Sequence, residues 1–482
     1  MQGEQMMRIN ASAHEETEGT LTRRRWWALA VVVAAQFMFV VDAFVVNIAI
    51  PSIRADIQAT TGEMQGVIAI YQIAFAGLII AGGRLGDMRG PKPAFLFGVA
   101  AFTAASLWCG LSQTGLELVA ARAVQGMSAA IMVPQVLTTI HVLFPIEERH
   151  KAFGIYGSTL GLGAAVGFLA GGLLLSLNLN GWGWRTIFFV NLPLGGLLLA
   201  SGFKLMPNLA GRPNEQFDYV GAIVLFVALV SIVAPLSFGV DFNWTPGVFI
   251  GMAIGVSLLI SLWPLEQWVT RRRRRLPILH LDLFQDTSFV LGLGAIYFFT
   301  FANLSFYLVL TLYLQLGLAL SPLATGLTVL PLALTFALVS RLSGSRVKRR
   351  GLSALIEGGV LQIIGLALPA ALLGLYGAVS PILLSLLLAA FGAGQAMVMA
   401  PLYGTVLSNV PAAHAGTGGG VISTVQQVGN SCGIVVVGSV FYAIQNNHAA
   451  DTALVFSLGV LVLALFATVG FLQRLRTAQH LT

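Results

Sequence analysis

The chain has 482 residues, of which 57% are hydrophobic and only 9% are charged. A water-soluble protein of this length needs far more charged surface, and a mean hydropathy of +0.85 places most of the chain in lipid. The net charge of +7 is not taken to indicate a nucleic-acid partner, because the basic residues lie in short segments between apolar stretches, where they set membrane topology.

Fourteen apolar stretches are long enough to cross a bilayer, which takes about 20 residues of α-helix. In chain order they lie near residues 26–51, 66–86, 93–113, 116–143, 152–177, 186–206, 218–239, 246–268, 288–314, 321–342, 352–375, 379–407, 417–444 and 452–473. We number them span 1 to span 14. They predict an all-α polytopic membrane protein with a short disordered tail before span 1 and no cleaved signal peptide.

The basic residues predict the orientation of these spans. All but three of the 26 lysines and arginines lie in the termini or at and beyond the ends of even-numbered spans, the exceptions being Arg54, Arg122 and Arg185. Because basic segments stay on the cytoplasmic side, both termini are predicted to be cytoplasmic. The run of five arginines at 271–275 belongs to this topology signal, and attraction to anionic lipid is compatible with it.

The end of span 2 is repeated at the end of span 10. Phe75-Ala76, Gly83, Arg89 and Gly90 recur as Phe336-Ala337, Gly344, Arg350 and Gly351, at a constant offset of 261 residues. A repeat in the same orientation indicates two related halves. Eight spans separate the copies, so six belong to each half and spans 7 and 8 are an insertion. The predicted units are a tail at 1–24, a six-helix bundle at 25–212, the inserted pair at 213–275, and a second six-helix bundle with a short tail at 276–482.

The segment after span 2 reads Gly-Arg-Leu-Gly-Asp-Met-Arg-Gly-Pro-Lys over residues 83–92. It resembles the signature loop of the major facilitator superfamily, which implies a fold of two pseudo-symmetric six-helix bundles, here with two added helices. Its glycines permit a tight turn and close packing. We predict a conformational gate formed by Gly83, Arg84, Asp87, Arg89 and Gly90; the simpler alternative is a helix stop with scattered charges. Lys348 replaces the acid in the second copy, so any clamp there works differently or is absent.

Span 1 carries a carboxylate, Asp42, nine residues before Pro51. It lies about 13 Å from the outer end of the helix, at 1.5 Å of rise per residue. An acid at that depth is costly and indicates a functional site. The surrounding residues 41–51 resemble the first-helix signature of the 14-helix drug:proton antiporters within the superfamily.

Span 4 carries a cation at a similar depth. Residues 118–130, which include Arg122 and Gln125, resemble the family's motif with a buried arginine, and the family fold makes spans 1 and 4 neighbours. Burial disfavours the charged form of Asp42, whereas a nearby guanidinium favours it. The pair of Asp42 and Arg122 is therefore predicted to load and release a proton. The alternative is a static ion pair that only holds the helices together.

Span 5 has glycines at three- and four-residue spacing, which lets helices approach closely. The predicted packing positions are Gly163, Gly167, Gly171 and Gly172. The pattern resembles the family's antiporter motif, except that Phe168 stands where the family has proline. This departure weakens the antiporter interpretation of that motif, although the glycine face remains.

The resemblance also implies a substrate cavity lined by spans 1, 4, 9 and 12. The candidate lining residues, with one more from span 2, are Gln36, Asn47, Tyr71, Gln125, Asn303, Tyr307, Gln315, Gln395 and Tyr403. Aromatic faces with a single carboxylate suit amphiphilic or cationic solutes. Each of these side chains taken alone is more often a packing residue than a ligand contact.

Other function classes lack their signatures. The chain has no Walker A pattern, its seven histidines show no paired metal-ligand spacing, and no selectivity loop of a channel is evident. The two cysteines, Cys109 and Cys432, lie inside apolar stretches and predict no disulfide framework. A proton-coupled transporter of one specific metabolite remains the main alternative, and a channel or membrane enzyme is less favoured.

The predicted function is proton-coupled export of small lipophilic or amphiphilic compounds, such as drugs and antibiotics, by alternating access. The predicted partners are a small-molecule substrate, protons and the bilayer of the inner (plasma) membrane. No cofactor, metal, enzymatic activity or nucleic-acid partner is predicted, and the chain is expected to act as a monomer.

Overall fold

A computed structural model describes residues 2–178, 181–209, 211, 219–239, 241–268, 281–377, 379–408, 410, 415–446 and 448–481. Within these ranges the chain is almost entirely helical and contains no β-strand. The α-helices are α1 Gln2–Ile57, α2 Thr61–Arg89, α3 Pro91–Leu111, α4 Gly115–Met132, α5 Pro134–Leu143, α6 Ile146–Leu177, α7 Thr186–Phe189, α8 Asn191–Leu205, α9 Tyr219–Phe238, α10 Pro246–Trp268, α11 Thr287–Leu312, α12 Pro322–Arg350, α13 Leu352–Tyr376, α14 Pro381–Ser408, α15 Ala415–Gln445 and α16 Ala450–Leu481.

The helices confirm the predicted all-α membrane fold. Thirteen helical stretches of the described chain are long and apolar enough to cross a membrane, and one of them combines α4 with α5. Span 5 corresponds to α6, a helix of 32 residues whose stretch Val166–Leu177 is apolar. Together these account for the fourteen predicted spans.

Two of the predicted spans are divided. Span 4 breaks at Val133, because Pro134 has no backbone N–H to continue the hydrogen-bond ladder and begins a new helix, α5. Span 6 starts with a 3₁₀ turn at Gly183–Arg185, continues as the four-residue helix α7, and restarts as α8 at Asn191. The second break places a polar residue at the first position of α8.

The first helix starts earlier than predicted. α1 begins at Gln2, so residues 2–24 are helical where the sequence analysis expected a disordered tail. This segment contains no proline and several alanine, glutamate and methionine residues, which have high helix propensity. The polarity of the segment was therefore a poor guide to its conformation.

Each half of the chain forms a bundle of its own. In the first half, α2 packs against α4, α1 against α6, and α3 against α4 and α8. In the second half, α12 and α13 pack against α14, and α11 packs against α15 and α16. The inserted helices α9 and α10 pack against each other, and α9 lies against α2 of the first bundle.

Two glycines show how closely α2 and α4 approach. A Cβ atom on Gly82 of α2 would lie 2.0 Å from the carbonyl oxygen of Ala130. A Cβ atom on Gly126 of α4 would lie 2.3 Å from the carbonyl oxygen of Tyr71. Only a residue without a side chain allows the two backbones to meet at these points.

The two bundles touch mainly along two helix pairs, α6 with α12 and α2 with α15, and α1 also contacts α11 and α12. Many of the contacts lie toward the end of the molecule where α1 ends and α2 begins, which we call the α1–α2 end. There the Gln315 side chain donates a hydrogen bond to the Ile48 carbonyl oxygen (2.9 Å), and the Arg54 guanidinium lies 5.1 Å from the ring centroid of Tyr442. The bundles are therefore joined at this end.

Candidate functional site

The most deeply buried charges of the described chain form a pair between α1 and α4. Asp42 has 0% of its surface exposed and Arg122 has 1%. One guanidinium nitrogen of Arg122, Nη1, lies 2.5 Å from Asp42 Oδ2. The structure thus brings together the two residues that the sequence analysis selected as the proton-coupling pair.

The Asp42 carboxylate accepts hydrogen bonds from three side chains. Besides Arg122 on Oδ2, Gln125 Nε2 and Asn191 Nδ2 each donate to Oδ1 at 2.9 Å. The donors come from α4 and α8, so the carboxylate of α1 joins three helices. All three donors are N–H groups, so both carboxylate oxygens act as acceptors.

The Arg122 side chain is held in place independently of Asp42. Its Nε donates to the Val67 carbonyl oxygen at 3.2 Å, and Nη1 also donates to Gln125 Oε1 at 2.6 Å. The guanidinium carbon lies 3.9 Å from the ring centroid of Tyr71, a cation–π contact. This cation is therefore preorganised for the carboxylate.

Two members of the network were missed by the sequence analysis. Asn191 donates to Asp42, and Ser106 Oγ accepts hydrogen bonds from both Gln125 Nε2 (2.8 Å) and Asn191 Nδ2 (3.2 Å). Asn191 could have been noticed as an amide inside an apolar span, since such residues are uncommon in hydrocarbon. Ser106 carried no comparable signal, because serine is common in membrane helices.

The glycine face of α6 packs against the helix that carries Asp42. Cβ atoms on Gly163, Gly167 and Gly171 would lie 2.8–3.0 Å from side-chain atoms of α1. Gly172 points instead to the second bundle, where its Cβ would lie 2.6 Å from the Pro322 carbonyl oxygen. The four glycines therefore serve two interfaces.

Phe168 lies between the two bundles. Its ring centroid is 5.6 Å from that of Phe44 on α1 and 5.0 Å from that of Tyr307 on α11. The Phe44 and Tyr307 rings are themselves 5.5 Å apart. The residue that departs from the family motif thus completes an aromatic triad across the bundle interface.

The predicted gate lies at the opposite end of α2 from the α1–α2 end. Arg84 Nη1 and Asp87 Oδ2 lie 3.7 Å apart on successive turns, and Arg89 is exposed. Gly90 ends the helix with φ of +93°, a conformation that favours glycine, and a Cβ there would lie 2.4 Å from the Leu209 carbonyl oxygen. Gly83 is half-buried at the preceding turn.

The candidate cavity residues fall into separate groups. Tyr71 and Gln125 belong to the Asp42 network. In the second bundle, the Tyr307 hydroxyl donates to Gln395 Oε1 and Gln362 Nε2 donates to Asn303 Oδ1, both at 3.0 Å. The remaining predicted residues are not brought together: Asn47 donates within its own helix, and Gln315 bonds the Ile48 carbonyl oxygen. Gln36 is buried and Tyr403 is partly buried.

Four buried polar atoms among the candidate cavity residues have no partner in the described part of the chain. They are Gln36 Oε1, Asn47 Oδ1 and the hydroxyl oxygens of Tyr71 and Tyr403. Such atoms are uncommon in protein interiors and are candidate contacts for a substrate or for water. Within the described ranges, no three His, Cys, Asp or Glu side chains are grouped as metal ligands.

The sequence is similar to those of several antibiotic and multidrug resistance proteins. It is 35% identical over 437 residues to the puromycin resistance protein pur8 of Streptomyces alboniger, covering 89% of this chain and 84% of that protein. It is 32% identical to the multidrug resistance protein Stp of Mycobacterium tuberculosis, covering 84% and 74%. It is 30% identical to the tetracenomycin C resistance and export protein of Streptomyces glaucescens, covering 89% and 80%.

The fold is that of solved transporters. A proton-dependent oligopeptide transporter superposes with a TM-score of 0.67 and 13% sequence identity, covering 96% of this chain and 100% of that one. Residues 32–434 match the family described as Major Facilitator Superfamily. The chain therefore belongs to the major facilitator superfamily and is a multi-pass membrane transporter of small molecules, not an enzyme.

Proposed function

We propose that this protein exports small lipophilic or amphiphilic compounds in exchange for protons, and that Asp42 carries the proton. The observation that supports this most is a fully buried carboxylate bonded to side chains from two other helices. A static ion pair at this depth is weak evidence of stabilisation, because desolvation offsets much of the charge attraction. A role in which Asp42 alternates between its charged and its protonated form accounts better for a carboxylate at this depth.

The chemistry of the pair provides the coupling. With Asp42 ionised, its charge balances that of Arg122, and the site is neutral. When Asp42 takes up a proton, Arg122 becomes an unbalanced buried cation, and the ionic contact that joins α1 to α4 is weakened. A conformation with a different exposure of the site is then favoured, which is the energetic requirement for alternating access.

The orientation that we propose places the termini and the 83–92 loop in the cytoplasm, in the inner (plasma) membrane. The α1–α2 end is then external, and contacts such as Gln315 with Ile48 close the external side. The Arg84, Asp87 and Arg89 side chains of the gate would lie on the cytoplasmic side, where the bundles must move apart to admit substrate.

We propose the same units as in the sequence analysis: a tail at 1–24, bundles at 25–212 and 276–482, and an inserted pair at 213–275. The limits at 212–213 and 275–276 and the arginine run at 271–275 lie outside the described residues. Packing of α9 on α2 supports an inserted pair that lies beside the first bundle. We also propose that the chain acts as a monomer, because each half of the pathway comes from the same chain.

We propose planar, neutral or monovalent compounds as substrates. The Phe44, Phe168 and Tyr307 rings offer stacking surface between the bundles, and nearby polar groups such as Gln395 are uncharged. Asp42 is the acid buried in this region, so a divalent cation would lack a second partner. Puromycin and tetracenomycin C, named for two relatives, are the first probes to test.

The experiment uses purified protein in proteoliposomes of both wild type and Asp42→Asn. Addition of puromycin or tetracenomycin C should produce proton movement opposite to the compound with wild type and none with Asp42→Asn. Glu357→Gln, which changes a more exposed acid on α13 of the second bundle, is the control and should keep coupling. Coupled proton movement that persists in Asp42→Asn would eliminate Asp42 as the carrier.

The substrate range decides between a multidrug exporter and a transporter of one metabolite. Cells with and without the gene should differ in resistance to several chemically distinct aromatic compounds. Protection against one compound alone would favour the metabolite transporter.

A further inference from the structure

Asn191 is one of the two members of the Asp42 network that the sequence analysis did not select. It is 2% exposed, and its Nδ2 lies 2.9 Å from Asp42 Oδ1 and 3.2 Å from Ser106 Oγ. The Ser106 hydroxyl in turn donates to the Phe102 carbonyl oxygen at 2.9 Å. The amide is therefore oriented by one neighbour while it donates to the acid.

The backbone that carries Asn191 is tied to α1 at a second point. The 3₁₀ turn Gly183–Arg185 precedes α7 and α8, and within it Trp184 Nε1 donates to Asp56 Oδ2 at 2.9 Å, while Arg185 forms an ion pair with the same carboxylate. Asp56 lies fourteen residues after Asp42 on α1. The segment 183–191 thus contacts two carboxylates of α1, Asp42 and Asp56, which limits how far Asn191 can move from Asp42.

The donors to Asp42 are not equivalent. Arg122 and Gln125 lie one turn apart on α4 and bond each other, so they move together. Asn191 is the donor from α8 among the described residues, and it lies where α7 and α8 are discontinuous. Substitution of the donor on the separate helix therefore leaves the other two donors in place.

We propose that Asn191 is a positioning residue that holds Asp42 in its ionised form and so sets the pH at which the proton binds. The inference rests on the proposed role of Asp42 as proton carrier. A hydrogen bond from an N–H donor stabilises a charged acceptor more than a neutral one. Loss of the amide therefore makes proton binding at Asp42 more favourable, and binding persists to higher pH.

The other titratable groups near Asp42 must be the same in all the variants that are compared. Those that face Asp42 in the described chain are Tyr71 on α2, Cys109 on α3 and Arg122 on α4. None of them bonds Asn191 directly. A change at Asn191 therefore alters the hydrogen bonding of Asp42 while its charged surroundings are kept.

The test is a pH titration of the purified protein by infrared difference spectroscopy, without any substrate. The band of the protonated Asp42 carboxyl group is identified as the one missing in Asp42→Asn. In Asn191→Leu, which has the same branched shape but no donor, the midpoint of this band should move to higher pH by about one unit, a roughly tenfold gain in proton affinity. Asn191→Ser, whose hydroxyl is too short to replace the amide, should shift it in the same direction.

Ser128→Ala is the control, because this buried hydroxyl on α4 bonds only its own helix, at Val124. Its midpoint should equal that of wild type. If Asn191→Leu yields no folded protein, Asn191→Ser decides by the same criterion. A wild-type midpoint in a folded Asn191 variant, or an equal shift in Ser128→Ala, overturns the inference.

Failure of this inference is distinguishable from failure of the proposed function. If Asp42→Asn abolishes coupled transport and the Asn191 variants titrate like wild type, Asp42 remains the carrier and the positioning role is wrong. If Asp42→Asn transports protons normally, the carrier assignment itself is wrong.

Discussion

Removing one member of the buried pair should destabilise the protein differently depending on which charge remains. Asp42→Asn leaves the Arg122 guanidinium without its counter-charge, and arginine does not lose its proton in proteins. Breaking a buried pair in this way costs about 3–5 kcal/mol. No remaining group can neutralise the charge. We therefore expect the decrease in the free energy of unfolding, relative to wild type, to be similar at pH 7 and pH 5.

Arg122→Gln leaves an acid that can neutralise itself by taking up a proton. For an ordinary aspartic acid with a pKa of about 3.9, protonation at pH 7 costs about 4 kcal/mol, and at pH 5 about 1.5 kcal/mol. These values set an upper limit on the destabilisation. The folded variant binds a proton that the unfolded chain releases above this pKa, so its stability falls as the pH rises. Acidification from pH 7 to pH 5 should therefore raise the free energy of unfolding of Arg122→Gln by up to about 2.7 kcal/mol.

Thermal unfolding can be followed with a thiol-reactive fluorophore, because Cys109 is fully buried and becomes reactive on unfolding. The double variant Asp42→Asn/Arg122→Gln should be more stable than Asp42→Asn, since it leaves no unbalanced charge. Arg185→Gln breaks the more exposed ion pair with Asp56 and should lower the free energy of unfolding by at most about 1 kcal/mol. Equal losses in both single variants at both pH values would refute the reasoning.

Three further substitutions test the packing and the gate. Gly82→Val should lower the unfolding midpoint strongly, because a Cβ at this position would lie 2.0 Å from a backbone oxygen of α4. Its control is Gly374→Val, which should change the midpoint little, because a Cβ there would have no atom within 4 Å. Phe168→Ala should destabilise the protein by less than the roughly 3–5 kcal/mol that the same substitution costs in the core of a water-soluble protein, because in lipid only packing contacts are lost. An unchanged unfolding midpoint would contradict the role of Phe168 between the bundles. Asp87→Asn should slow turnover of the probe compound in proteoliposomes and leave its binding nearly intact; normal turnover would remove the gate role.

Several features of the site were predictable because they depend on local composition. Hydropathy is a property of each segment, so the spans and the depth of Asp42 and Arg122 follow from the sequence directly. The resemblance supplied the pairing of their helices. The conformation of residues 2–24 was not predictable in the same way, because a polar segment is compatible with both a helix and an irregular tail.

Contacts between helices depend on their rotation and on how closely their backbones approach, which no single segment encodes. The sequence by itself therefore determined an all-helical membrane protein with two related halves and one buried acid–base pair. Only the tertiary structure decided that Asn191 and Ser106 complete the Asp42 network, that the α6 glycines divide between two interfaces, and that the predicted cavity residues separate into two bundles. The physical reason is that hydrocarbon burial selects which residues enter the membrane, whereas side-chain packing selects which of them meet.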